Sequence, residues 1–173
     1  MEQVKIRHIA LMLKKEKGYK IGIITTVGIN HATPAGFYAH VASRNDYYKI
    51  GEQLTESDFD YFGGGGFIDE TGKEGDQESL RDVAKKAGYS IVDNNKDILA
   101  LNSKSGKTMA INPVLDSNSD MNYGVDADKN ELKLKDFVTS SCGEEHGEKT
   151  FRQTGYSRYD CVYRVYGFLT ESI

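Results

Sequence analysis

The sequence predicts an α/β fold, a partial and mostly parallel sheet with helices on both faces. Two observations indicate this fold. Short apolar segments rich in β-branched residues alternate along the chain with segments whose apolar residues recur at helical spacing. The clearest strand, residues 19–27, is a short run rich in apolar and β-branched residues, as is typical of a parallel strand buried on both faces. The length of 173 residues suits a single domain with a substantial core.

The first predicted helix covers residues 6–17 and precedes the apolar strand. Ile6, Ile9 and Leu13 recur at helical spacing, and Gly18 supplies the glycine on which many helices end.

A second helix is predicted to begin at Thr33 and Pro34, an N-cap and first-turn pair, and to continue to about residue 43. The remaining predicted elements, in chain order, are a short strand at 59–62 that ends in four glycines, a helix at 76–87 closed by Gly88, a strand at 89–92, a short helical piece at 97–101, a strand at 108–112, and either a strand or the start of a helix at 132–138.

The composition changes near Ser140, which divides the chain into residues 1–139 and a divergent tail, 140–173, of unknown role. The tail holds both cysteines, three of the six arginines and four of the 11 tyrosines. Its residues 159–169 could form an edge strand. Cys142 and Cys161 lack CxxC spacing, so a single disulfide and a pair of free thiols both remain open.

Charge and hydropathy exclude several classes of protein. A net charge of −4 and a pI near 5.6 predict no nucleic-acid partner. No run of about 18 apolar residues is present, which predicts no membrane span. The first 20 residues lack the apolar stretch of an export signal, so we expect this chain, expressed alone, to stay in the cytoplasm.

The candidate chemistry lies in residues 30–44, NHATPAGFYAHVASR, directly after the apolar strand. Ligands of open α/β sheets bind at the carboxyl ends of the strands. His31 and Thr33 can act as ligands to a divalent ion, and the guanidinium of Arg44 can bind phosphate oxygens. Purely structural roles remain open: a loop histidine, an N-cap and a cation near a helix C-terminus.

Two other motifs admit a functional and a structural interpretation. Residues 126–130 begin like a calcium loop, but the sixth place holds Glu131 and the twelfth Phe137, which favours an ordinary polar turn. Four glycines, residues 63–66, could cradle phosphate, but no Walker lysine follows them, which favours a tight structural turn.

The stretch YKIGIITTVGINHATPAGFYAHVASRNDYY resembles the central part of alkaline phosphatases, in particular the bacterial branch that has His in the H-A-T-P motif. The similarity continues through FDYFGGGGF, DVAKKAGYSIV, KTMAINPVLD and NELKLKDF, and it covers roughly residues 5–139. It implies part of the alkaline-phosphatase-like α/β/α sandwich.

The resemblance also implies roles for three residues. Thr33 matches the family's threonine or serine ligand to magnesium, and His31 the position beside that metal. Arg44 matches the arginine that binds the substrate phosphate. The family hydrolyses phosphate monoesters through a phosphoserine intermediate, with two zinc ions activating first the serine and then water.

The motifs that would complete this chemistry are not found. The sequence contains no Asp-Ser-Ala tripeptide for the nucleophile and no Glu-Gly-Gly motif of the kind that supplies the last magnesium ligand. His8, His40 and His146 do not match zinc-ligand positions. We therefore expect a central fragment of the enzyme that carries part of the magnesium site and is inactive alone.

The alternative is a non-catalytic α/β interaction module derived from a phosphatase, with the tail pairing to a second copy through an exposed strand edge. The coding DNA on either side of the reading frame would separate the two interpretations. The resemblance further implies phosphate monoesters or inorganic phosphate as partners, a possible homodimer, and a periplasmic or extracellular location for the intact enzyme.

Overall fold

A computed structural model describes residues 8–102, 104–142 and 161–166. Its helices and strands, in chain order, are α1 (Ile9–Lys17), β1 (Lys20–Thr25), α2 (Ala32–Ala35), α3 (Tyr47–Glu56), β2 (Tyr61–Gly64), α4 (Leu80–Lys86), β3 (Ser90–Val92), α5 (Asn95–Leu99), β4 (Thr108–Ile111), α6 (Leu134–Cys142) and β5 (Cys161–Tyr166).

The strands form one sheet in the order β3-β4-β2-β1-β5. β1 to β4 are mutually parallel, and β5 adds antiparallel to β1 at the edge. The predicted mostly parallel sheet is confirmed. The predicted edge strand in the tail is also confirmed over 161–166, where it pairs with β1 of the same chain.

Helices cover both faces of the sheet, as predicted. Successive residues of β1 alternate between the faces, so that Ile23 belongs to one core cluster and Ile24 to the other. On the first face lie α1, α3 and α4, which contribute Ala10, Ile50, Leu54, Leu80 and Ala84. On the second lie α5, α6 and the chain that leads into α6, which contribute Ile98, Leu132, Phe137 and Val138.

The helix predicted for residues 33–43 is wrong. α2 is a single turn, capped by His31 rather than by Thr33, and isolated turns follow it. Tyr38 explains the early end, because its ring is buried against Phe59 and Phe62 and its hydroxyl donates to the Ile29 carbonyl at 2.8 Å. Tertiary packing therefore outweighs local helical propensity here.

The helix that does form, α3, was not predicted from the sequence. Ile50 and Leu54 lie one turn apart on its buried face. Gly51, which weakens a helix in isolation, allows close packing, since a Cβ there would lie 2.4 Å from Leu80 Cδ1.

Other boundaries shift by a few residues. α4 begins at Leu80 because the Ser79 side chain accepts the Arg81 backbone N–H. Within residues 132–138, positions 134–138 are the first residues of helix α6, which settles the open choice between strand and helix. α6 runs past position 140, and the division of the chain at that position stays a prediction.

The remaining tail and cysteine predictions lie outside what the structure describes, since the side chains of Cys142 and Cys161 are not included. None of the described helices is long and apolar enough to cross a membrane.

Candidate functional site

Three loops that follow parallel strands meet at the carboxyl edge of the sheet. We call them the edge loops: residues 26–31 after β1, 65–68 after β2 and 112–121 after β4. Backbone hydrogen bonds join all three, namely Ile29 N–H to Gly66 O (2.9 Å), Gly66 N–H to Ser119 O (2.8 Å) and Met121 N–H to Thr26 O (2.7 Å). The edge on which ligands bind in open α/β sheets is therefore a bonded unit.

The glycine run allows this close approach. Gly64 has φ +121°, and a Cβ there would lie 1.8 Å from Thr25 O. A Cβ on Gly65 would lie 2.2 Å from Val27 O. The amides of Gly65 and Gly66 donate to protein carbonyls. They are thus committed to the loop contacts rather than free to cradle phosphate, and the structural interpretation of the glycines is confirmed.

Asn30 holds the first edge loop in place through its side chain. It is fully buried, and its amide nitrogen donates to Tyr47 O at 2.9 Å and to Ile68 O at 2.8 Å. Its amide oxygen accepts the Ile68 N–H at 2.8 Å. The residue before His31 is therefore tied both to the second edge loop and to the start of α3.

His31 stands at the junction of this loop with α2. Its backbone N–H donates to Gly28 O at 2.9 Å. Its ring nitrogen Nδ1 accepts the Thr33 backbone N–H at 3.3 Å, which makes His31 the N-cap of α2. The ring stacks on Tyr47 with 6.1 Å between ring centroids. With Nδ1 engaged, Nε2 is the ring nitrogen left to face a ligand.

Thr33 and Arg44 are both exposed. Thr33 lies on the first turn of α2, next to His31. Arg44 lies in the segment between α2 and α3, and its guanidinium has no ion pair with any described residue. It is nevertheless close enough to His31 for its charge to act there. The structure therefore brings His31 and Thr33 together, with Arg44 near them.

Two opposite charges act on His31. Burial lowers the pKa of His31 most; the Arg44 charge lowers it further, and the Asp120 carboxylate opposes both. The pKa of Asp120 is raised, mainly by burial. The hydrogen bond from the Gly28 N–H and the charge of His31 oppose this rise, whereas the charge of Asp116 adds to it. The net pKa of His31 is therefore lowered from its ordinary value, so folding favours its neutral form more than in a free histidine.

Asp120 is a residue of this edge that the sequence analysis missed. Its Oδ1 accepts the Gly28 N–H at 2.8 Å across 92 residues of chain. The signal was available: Asp116 and Asp120 follow a predicted strand, and the carboxyl ends of parallel strands meet at one edge of a sheet. Only the strand order, which brings β4 and β1 to opposite sides of β2, shows that Asp120 reaches Gly28.

The described residues do not by themselves fit a metal ion. Thr33 Oγ1 and His31 Nε2 offer two donors, whereas magnesium prefers about six oxygen ligands. Nowhere in the described ranges do three His, Cys, Asp or Glu side chains come together in a way that could hold a metal ion.

The calcium-loop motif forms a polar turn. Glu131 accepts the Asp128 N–H through one carboxylate oxygen and the Asn122 amide through the other, at 3.0 and 3.1 Å. Phe137, at the twelfth place, is fully buried in the core. The structural interpretation is again the one supported.

A sequence model of the alkaline phosphatase family matches residues 4–144 of the chain. Among curated proteins, alkaline phosphatase 3 of Bacillus subtilis is 37% identical over 91 residues, which cover 49% of this chain and 19% of that protein.

Solved structures agree with this match. The alkaline phosphatase of the Antarctic bacterium TAB5 superposes with a TM-score of 0.57 at 25% identity, over 75% of this chain and 37% of its own. A histidine-to-aspartate variant of that enzyme, solved with magnesium bound in its M3 site, superposes with a TM-score of 0.51 at 28% identity, over 65% and 31%. The chain thus spans well under half the length of each of these relatives.

Proposed function

The chain belongs to the alkaline phosphatase family, and we propose that the protein of which it forms part hydrolyses phosphate monoesters, with Arg44 binding the phosphate group. His31 and Thr33 are proposed to form part of the metal side of the same site. All three residues lie within residues 4–144, which the family model matches.

The position of Arg44 is the observation that carries the proposal. Its guanidinium is exposed at the ligand-binding edge of the sheet and is free of ion pairs with the described residues. Arginine presents paired N–H donors that match phosphate oxygens, and it stays charged at any pH at which a phosphatase works. A cation without an acidic partner is available to an anionic substrate.

We propose that this chain alone does not turn over substrate. The 173 residues contain neither an Asp-Ser-Ala nor a Glu-Gly-Gly tripeptide, and the described residues supply two of the donors that a metal site needs. Zinc or magnesium, when bound by a full ligand set, would supply Lewis-acid chemistry to phosphoryl transfer. This chain's own part is to place Arg44 beside His31 and Thr33.

The further properties of the intact family are proposals for the parent protein as well. They are magnesium and zinc as cofactors, phosphate monoesters or inorganic phosphate as ligands, a homodimer, and a periplasmic or extracellular location.

Phosphate binding and turnover of the 173-residue chain test the proposal together. Inorganic phosphate is titrated into ¹⁵N-labelled protein by NMR, and phosphomonoesterase activity is assayed at alkaline pH with zinc and magnesium supplied. We expect no turnover and phosphate binding on the order of millimolar, equivalent to about 4 kcal/mol. Arg44→Ala should abolish the phosphate-dependent shifts of the His31 and Thr33 amides.

The matched control is Lys104→Ala, which removes another exposed cation that has no ion pair among the described residues. It should leave the phosphate response unchanged. An equal response in wild type and Arg44→Ala would contradict the assignment of Arg44. Turnover that Arg44→Ala abolishes would show that the chain carries a nucleophile of its own and would overturn its proposed inactivity.

A further inference from the structure

We propose that Asp120 is the positioning residue of this site, holding the His31 and Thr33 segment in place through Gly28. The inference deepens the proposed function and rests on it, since it gives the third edge loop a role in placing His31 and Thr33, the residues proposed above for the metal side of the site. Asp120 itself is not proposed to touch substrate.

A continuous series of hydrogen bonds leads from Asp120 to the site. Asp120 Oδ1 accepts the Gly28 N–H at 2.8 Å, and the Gly28 carbonyl accepts the His31 N–H at 2.9 Å. His31 Nδ1 then accepts the Thr33 N–H, and the His31 carbonyl accepts the Ala35 N–H at 3.1 Å. Each bond orients the next peptide group, so a shift of Asp120 is transmitted to both site residues.

Asp120 can serve as an anchor because its own position is fixed. Its N–H donates to Asp116 Oδ1 at 2.9 Å, and its carbonyl accepts the Asp116 N–H at 2.8 Å. The next residue, Met121, is buried and donates to Thr26 O at 2.7 Å. The carboxylate is thus held on both sides against the loop that it supports.

Gly28 is packed closely against the second edge loop. A Cβ there would lie 2.6 Å from Ile68 Cγ1 and 3.2 Å from Gly66 O. The Gly28 N–H therefore faces Asp120 from a site closed by the second edge loop. Since a charged acceptor makes a stronger hydrogen bond than a neutral one, the carboxylate is well suited to hold this amide.

Two substitutions separate the effect of the Asp120 hydrogen bond to Gly28 from the effect of its negative charge. Asp120→Asn keeps an oxygen that accepts the Gly28 N–H but removes the negative charge, whereas Asp120→Ala removes both. Each variant of the 173-residue chain is measured for amide hydrogen exchange, for the Gly28 amide chemical shift, and for inorganic phosphate binding by the NMR titration above. Asp126→Ala, which removes an exposed aspartate elsewhere in the segment after β4, is the control.

If Asp120 positions the site through its hydrogen bond, Asp120→Ala should speed exchange of the Gly28 and His31 amides about tenfold, the equivalent of one lost hydrogen bond. The Gly28 amide shift should move upfield, and phosphate should bind several-fold more weakly. Asp120→Asn should rescue most of the exchange protection and bind phosphate at least as well as wild type, because it removes a repelling charge. Asp126→Ala should change none of these.

Asp120→Ala with unchanged Gly28 and His31 exchange would overturn the inference, as would an Asp120→Asn variant no better than Asp120→Ala. These exchange measurements need no bound ligand. Wild-type chain that fails to bind phosphate therefore contradicts the proposed phosphate site, while the exchange data still decide whether Asp120 positions the loop. Chemical denaturation of each variant separates loss of the whole fold from loss of the Asp120–Gly28 hydrogen bond alone.

Discussion

The two edges of the parallel sheet are stabilised in different ways. At the carboxyl edge, the three edge loops are joined by backbone hydrogen bonds, by glycines in close contact with neighbouring carbonyls, and by the buried amide of Asn30. At the amino edge, ion pairs join Lys14 of α1 to Asp60 at 2.7 Å and Lys107 to Asp58 at 2.8 Å, beside backbone hydrogen bonds between strand ends such as Asp60 N–H to Ile21 O at 2.8 Å. The carboxyl edge carries the candidate site, and the amino edge carries none of its residues.

The difference shows where a change in sequence should be costly. Buried hydrogen-bonding groups and glycines in van der Waals contact cannot be replaced without leaving a polar group unpaired or moving the backbone. An exposed ion pair such as Lys107 with Asp58 contributes little because water competes for both partners. The closely packed carboxyl edge is thus where a substitution should cost most, and it is the edge that carries the candidate site.

Gly64→Ala should show the largest effect, because it attacks the closest contact of the carboxyl edge. The new Cβ would lie 1.8 Å from Thr25 O, and the φ of +121° is one that alanine avoids. We expect the free energy of unfolding to fall by about 3–5 kcal/mol, or the chain to fail to fold. Urea denaturation followed by circular dichroism measures the loss.

Gly124→Ala is the control, since a Cβ there meets no atom within 4 Å. It should change stability by less than about 0.5 kcal/mol. Equal stability of the two variants would mean that the edge loops are not packed as the structure has them.

Asn30→Ala should follow in size. Removing the amide leaves the Ile68 N–H and two carbonyls without partners in a buried place. The expected loss is about 2–3 kcal/mol, and the amides of Ile68 and His31 should exchange faster with solvent. Denaturation and hydrogen exchange measure the two effects.

Asn45→Ala removes an exposed asparagine close by in the chain and should cost less than about 0.5 kcal/mol. A similar loss in both asparagine variants would contradict the contrast between buried and exposed polar groups.

The sequence predicted the regular part of this edge and missed its long-range contacts. Residues 19–27 were identifiable as a strand because they are rich in apolar and β-branched residues, and Gly18 as a helix end because it adopts φ +68°. The one-turn α2 was not, because the buried contacts of Tyr38 with Phe59 and Phe62 decide where it ends. Asp120 was not identifiable either, because only the strand order shows that it lies next to Gly28.

The candidate residues themselves came from the family resemblance more than from local pattern. Thr33 had the sequence pattern of a helix N-cap, yet His31 caps α2. No local sequence pattern around Arg44 indicated a functional role. A short motif indicates which residue types are present. It does not show which carbonyl, ring or charge each one faces, because those partners lie on other strands.

The smallest effect is expected at the amino edge, from Asp58→Asn. Asp58 has φ +58°, which asparagine tolerates, so the substitution removes the charge and leaves the backbone unchanged. Its side chain is 62% exposed, and the pair with Lys107 should contribute less than about 1 kcal/mol. The hydrogen bond from Lys107 holds the pKa of the Asp58 carboxyl below its ordinary value of about 4, against an opposing effect of burial.

Because the pKa of Asp58 is lowered by folding, its contribution is complete above the ordinary aspartate pKa and is lost as the pH falls through the lowered value. Wild type should therefore be slightly more stable than Asp58→Asn at pH 7, and the difference should vanish near pH 2. Salt at about 1 M should also reduce it, since the Debye length falls to about 3 Å. Urea denaturation at the two pH values and two salt concentrations measures this. A stability difference that grew toward low pH would contradict a lowered pKa for Asp58. A difference above about 2 kcal/mol at pH 7 would show that this amino-edge ion pair stabilises the fold as much as the carboxyl-edge contacts do.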